Sequence, residues 1–130
     1  MRQQILDYIN SLTLGGYSVS NELPWSSSGT PLYLNNVKKI YVDRTQSTND
    51  PLFATLDGLT FNSEITSVKV YFASDAKLLP ANYDTVVSNM KLGKDVTTAT
   101  GFNRRECDVT TTFENDLLVT EFEFRFTKLI

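Results

Sequence analysis

The stretch RRECDVTTTFENDLLVTEFEFRFTKL, Arg104 to Leu129, alternates polar and apolar residues with a period of two over nearly its whole length. In its first half Cys107, Val109, Thr111 and Phe113 fall on one side, and Glu106, Asp108, Thr110, Thr112 and Glu114 on the other. After Asn115-Asp116, Leu118, Phe122, Phe124 and Phe126 alternate with Val119, Glu121, Glu123 and Arg125. Successive side chains of a strand point to opposite faces, so this spacing predicts a long β-hairpin with one buried and one charged face. With Asn115 and Asp116 as the turn, Val109 faces Phe122, Cys107 faces Phe124 and Phe113 faces Leu118. On the charged face Glu106 meets Arg125, a favourable pair. Asp108 meets Glu123, a like-charge pair that a basic partner would relieve.

Working back from the hairpin, Glu64 to Ser74 is a strand with apolar groups on both faces: Val68, Val70 and Phe72 on one, Ile65, Lys69 and Tyr71 on the other. That two-sided pattern predicts a central position in the sheet. Tyr83, Val86, Val87 and Met90 repeat at helical spacing, begun by Pro80 or Asn82 and ended by Gly93. At the other end, Ile5, Leu6, Ile9 and Leu12 form the apolar stripe of a first helix that Gly15-Gly16 stops. Tyr17 to Trp25 reads as a strand that Pro24 ends or confines to an edge. Ser26 to Pro31 is a loop by composition, and Leu32 to Thr45 a strand with a turn or bulge near Asn35-Asn36. Gln46 to Asn62 is the least regular section and is expected to be a long loop, spanning about 44–62, that is functional or mobile.

The fold class follows: a single α+β domain over residues 1–130, with a mixed, mostly antiparallel sheet of about five strands and two helices packed on one face. The long C-terminal hairpin closes it.

Composition narrows the function by exclusion. The chain has 130 residues, a net charge of −3 and no histidine, so the commonest general base and metal ligand is missing. Its one cysteine, Cys107, has no partner for an internal disulfide and suits a reducing compartment. No calcium-loop or zinc-cluster spacing occurs, which points to no metal and no cofactor. Gly15-Gly16 follows a helix instead of opening one and is no phosphate cradle. Glu121 and Glu123 lie on an open strand, where nothing predicts a cleft for a glycosidase pair. The basic residues are scattered, unlike the stripe of a nucleic-acid binder. No apolar run of about eighteen residues predicts a membrane span, and the expectation is a soluble protein made inside the cell. The reading is therefore non-enzymatic.

The order of elements carries a resemblance. An amphipathic helix, a strand ending Ile40-Tyr41-Val42-Asp43, a long polar loop and the strand Val68-Lys69-Val70-Tyr71-Phe72 come first, followed by a short helix and a charged hairpin. This order is similar to that of the tail terminator proteins of long-tailed bacteriophages. The resemblance implies a virion protein assembled in the host cytoplasm: a ring, typically a hexamer. It would cap the tail tube and offer a docking surface to a head-side neck or connector protein. DNA would pass through its lumen as cargo, unread, and no membrane would be involved. Candidate interaction residues are Glu121, Glu123 and Arg125 on the hairpin face, with Arg104, Arg105 and Lys128 as their complement on a neighbour. Arg44, Gln46, Asp50 and Asp57, on the long loop, would reach along the channel or onto an adjacent ring. The alternatives are a head-completion or neck protein, a cytoplasmic module whose long loop closes over a small ligand, and an inhibitor adding the Tyr17–Trp25 edge to a partner's sheet, with Trp25 the residue to test.

Overall fold

A computed structural model describes residues 2–54, 60–96, 104–114 and 116–129. Its elements are α1 (Arg2–Ser11), β1 (Ser18–Ser20), β2 (Lys39–Val42), β3 (Gln46–Ala54), β4 (Thr60–Asp75), α2 (Tyr83–Lys91), α3 (Gly93–Val96), β5 (Arg104–Glu114) and β6 (Leu117–Leu129). They build one six-stranded sheet in the order β1-β2-β4-β6-β5, with β3 paired to β4 beside β2. Among the described residues only β1 and β2 run parallel; the other pairings are antiparallel. This is the expected α+β fold, closed by its C-terminal hairpin.

The hairpin has the register read from the alternation: Val109 lies opposite Phe122, Cys107 opposite Phe124, Phe113 opposite Leu118 and Glu106 opposite Arg125. Asp116 takes a positive φ of 61°, as a two-residue turn between Glu114 and Leu117 demands. β6 pairs with β4 along its full length, which makes both of them interior strands. Phe122, Phe124 and Phe126 lie beside Val70, Val68 and Thr66 on one face, and all six are buried. Ile5, Leu6 and Ile9 of α1 and Val86 and Met90 of α2 close over that face. Each such side chain contributes about 1.5–3 kcal/mol by leaving water. Two hydroxyl pairs are enclosed with the core: Tyr17 with Ser74 at 3.1 Å, and Tyr83 with Thr120 at 2.7 Å.

Among the described residues the opposite face is covered only at one end. Tyr33, Tyr41, Tyr71, Ala73 and Val119 make a second cluster, with Leu32, Leu34 and Leu117 packed against it. The rings of Tyr33 and Tyr71 stack at 5.0 Å, and Trp25 meets both edge-on at 5.6 and 5.8 Å. Val119 is therefore buried, although its position in the alternation puts it among the charged residues.

Several boundaries differ from expectation. Segment 44–62 is not one long loop: Gln46–Ala54 pairs with Thr60–Ser67 as a hairpin. Its Gln, Ser, Thr and Asn residues carry no apolar alternation because the described side chains of β3, Gln46 to Asn49, are exposed. Pro51 sits where the register shifts, the place a strand tolerates proline. The expected strand from Tyr17 to Trp25 shrinks to Ser18–Ser20, which is indeed an edge. The strand expected from Leu32 keeps only Lys39–Val42, after turns at Asn35 and at Lys38, whose φ is 66°. Phe113, expected in the core, is 76% exposed at the end of the hairpin. Gly93 opens α3 instead of merely ending α2: a Cβ there would meet the Tyr8 ring at 3.1 Å and Phe124 at 3.2 Å.

The root of the β3–β4 hairpin is tied to α1. The Arg2 guanidinium donates to the carbonyls of Val42 at 3.1 Å and Asn21 at 2.8 Å, and the Arg2 amide donates to Thr45 Oγ1 at 3.0 Å. One residue thus joins the end of β2, the Asn21 turn and the approach to β3.

Candidate functional site

The uncovered part of the outer face is a lattice of charges laid across three strands. In register, Lys69 of β4, Glu123 of β6 and Asp108 of β5 form one row, and Ser67, Arg125 and Glu106 the next. Directly opposite carboxylates at Asp108 and Glu123 would repel. Arg125, one row away, and Lys69, in the same row, hold them instead. Arg125 reaches Glu106 at 3.3 Å, contacts Asp108, and brings its enclosed Nε within 3.6 Å of Glu123. Lys69 lies 3.4 Å from Glu121 and 3.9 Å from Glu123. Arg104 pairs with Glu106 at 2.5 Å. The like-charge pair is thus neutralised within the chain, and the face needs no basic partner on its account. Each exposed pair is worth little alone, at about 0–1 kcal/mol, but the shared cations make a network that fixes side-chain directions.

The expected interaction residues divide into groups. Glu121, Glu123, Arg125 and Arg104 share this face. Arg105, opposite Phe126, belongs to the helix side, as does Lys128, which lies 3.6 Å from Glu64. Arg44 and Gln46 stand at the root of β3. With Leu23, Trp25, Ser26, Ser27 and Asp43 they line an open groove of about 600 Å³. Asp50 lies further along β3, its backbone opposite Ser63. Asp57 falls outside the described residues. The sequence brought together the hairpin set but not its anchor, Lys69. Its signal was present in the alternation of β4, yet its partners could be named only once β4 was known to lie against β6.

Two groups, the buried Tyr71 and the half-buried Cys107, are chemically quiet. Tyr71 is held well above the ordinary phenol range by burial first, then by the carboxylate of Glu121, to which its hydroxyl is hydrogen-bonded. Burial pushes the Cys107 thiol up to about 11, against an opposing pull from Lys91. Thiolate is the reactive form, so alkylation of Cys107 at pH 8 is expected to run about a hundredfold slower in the folded chain than in urea. An iodoacetamide time course read by mass spectrometry checks this; equal rates would place the thiol in water.

Among the described residues no cluster of Cys, Asp and Glu is arranged to hold a metal ion, and no helix is long and apolar enough to cross a membrane. No protein-family model matches the sequence, and no curated protein matches it significantly.

Proposed function

We infer that this chain is a non-catalytic assembly protein of the tail-terminator kind: a ring, hexameric by resemblance, that caps a tail tube and receives a head-side connector. DNA passes through its lumen as cargo. The observation that carries the reading is the β3–β4 hairpin. Pro51–Ala54 and Thr60–Asn62 pair with each other beyond Ser63, the last β4 residue that pairs with β6 among the described residues, so there the hairpin runs on as two strands past the described sheet. Such an arm suits contact with an adjoining subunit or ring better than it suits closing over a small ligand. The charged face and the sheet edges that no strand pairs among the described residues support the same reading, because a ring needs two unlike patches on every copy.

A head-completion or neck protein would use the same features on the portal side. Sedimentation with tail tubes that carry no heads separates the two readings. The purified chain is expected to co-sediment with tubes of the cognate tail-tube protein and to shorten them when added during polymerisation. Tube lengths that do not respond, with the chain left in the supernatant, would remove the terminator reading.

A further inference from the structure

We propose that β5 is a docking edge for β5 of a second copy of this chain, in one antiparallel register centred on Val109. β5 is the terminal strand of the sheet, and among the described residues no strand pairs with its outer side. It is eleven residues long and contains neither lysine nor proline; its charges, Arg104, Arg105, Glu106, Asp108 and Glu114, would blunt the edge toward most strands, so a partner must match them. Alternate backbone N–H and C=O groups along it therefore point outward without a strand to receive them.

The occupant is argued from charge. A two-fold axis perpendicular to the sheet keeps helix face with helix face and charged face with charged face. Centred on Val109, it overlaps the whole strand and sets Arg104 opposite Glu114 twice over. On the same face Glu106 meets Thr112 and Asp108 meets Thr110. On the helix face Cys107 meets Thr111 and Val109 meets itself. Arg105 comes over Phe113, the aromatic ring left 76% exposed in the single chain. Sliding the pair one step either way destroys this match. Centring on Asp108 sets that carboxylate against itself, and centring on Thr110 sets Glu106 against Glu114. Two steps off, Glu106 meets Asp108 or Asp108 meets Glu114. Of these five registers only the full-length one opposes no like charges, and it is self-complementary.

This contact does not rest on the tail-terminator reading. A two-fold pairing closes on itself as a dimer, whereas a ring needs a rotational contact between unlike surfaces.

The test is a cross-link with a charge swap. In a Cys107→Ser background, Val109→Cys is expected to form an inter-chain disulfide on mild oxidation. Directly opposite residues lie about 4.5–5.5 Å apart, within reach of that bond. Thr112→Cys, facing Glu106 of the other copy, is expected to give none. In analytical ultracentrifugation Glu114→Lys, at an exposed hairpin end, is expected to weaken the dimer about tenfold. Adding Arg104→Glu is expected to restore it. Monomer at every concentration, cross-linking at both positions alike, or a double variant no tighter than Glu114→Lys alone would each overturn the proposal.

Discussion

Phe72→Ala is expected to remove about 4 kcal/mol of stability, the largest loss of any single truncation in the sheet. Phe72 is fully buried on β4. Its ring meets Tyr17 edge-on at 5.1 Å, Phe122 in a stacked pair at 6.0 Å and Tyr83 at 6.2 Å. Tyr17 precedes β1, Tyr83 opens α2 and Phe122 lies on β6, so one ring joins four parts of the chain. Its removal leaves a cavity that none of them can fill without losing another contact. Tyr17 and Tyr83 are each pinned by a hydroxyl pair, to Ser74 and Thr120, and cannot follow the missing ring inward. Phe72→Leu, which restores most of the volume, is expected to cost about 1–1.5 kcal/mol. Urea unfolding of the two variants checks the pair of values. A loss below about 1.5 kcal/mol for Phe72→Ala would mean that the rings do not converge as described.

Arg125→Glu is expected to cost about 2 kcal/mol in dilute buffer and roughly half that in 1 M salt. The substitution does more than remove one ion pair. It places a fourth carboxylate among Glu106, Asp108 and Glu123, all of which Arg125 now holds. The group is half-exposed, so solvent screens each repulsion, and only the sum over three neighbours makes the effect large. Arg125→Met retains the packing of the stem and is expected to cost about 1 kcal/mol. Glu121→Gln, which leaves Lys69 its second carboxylate at Glu123, is expected to change stability by only a few tenths. Thermal melts across a salt series distinguish these outcomes. A loss for Arg125→Glu that salt leaves untouched would show that packing, and not charge, holds the face together.

The parts of this molecule that the sequence announced were those where one face meets water and the other oil. Phe122, Phe124 and Phe126 alternate with Glu121, Glu123 and Arg125, and that contrast fixed the hairpin, its register and its inward side. The helices at Ile5–Ile9 and Val86–Met90 were legible for the same reason. β3 was not, because from Gln46 to Asn49 it exposes polar side chains and is held by backbone pairing, to which composition is blind. The outer aromatic cluster escaped for a different reason. Tyr33 and Tyr71 are far apart in sequence, and only the turns at Asn35 and Lys38 fold one ring onto the other. The charge lattice was half legible: Glu106 with Arg125 follows from hairpin arithmetic. Lys69 with Glu121 and Glu123 depends on a pairing of β4 with β6 made across the intervening α2, α3 and β5.

The clamp at Arg2 gives the β3–β4 hairpin a mechanical character. Its base is bolted to the first helix through Val42, Asn21 and Thr45, so it behaves as a cantilever and not as a tether. A load applied near its outer end would be carried as torque into the packing of Ile5, Leu6 and Ile9, far from where it was applied.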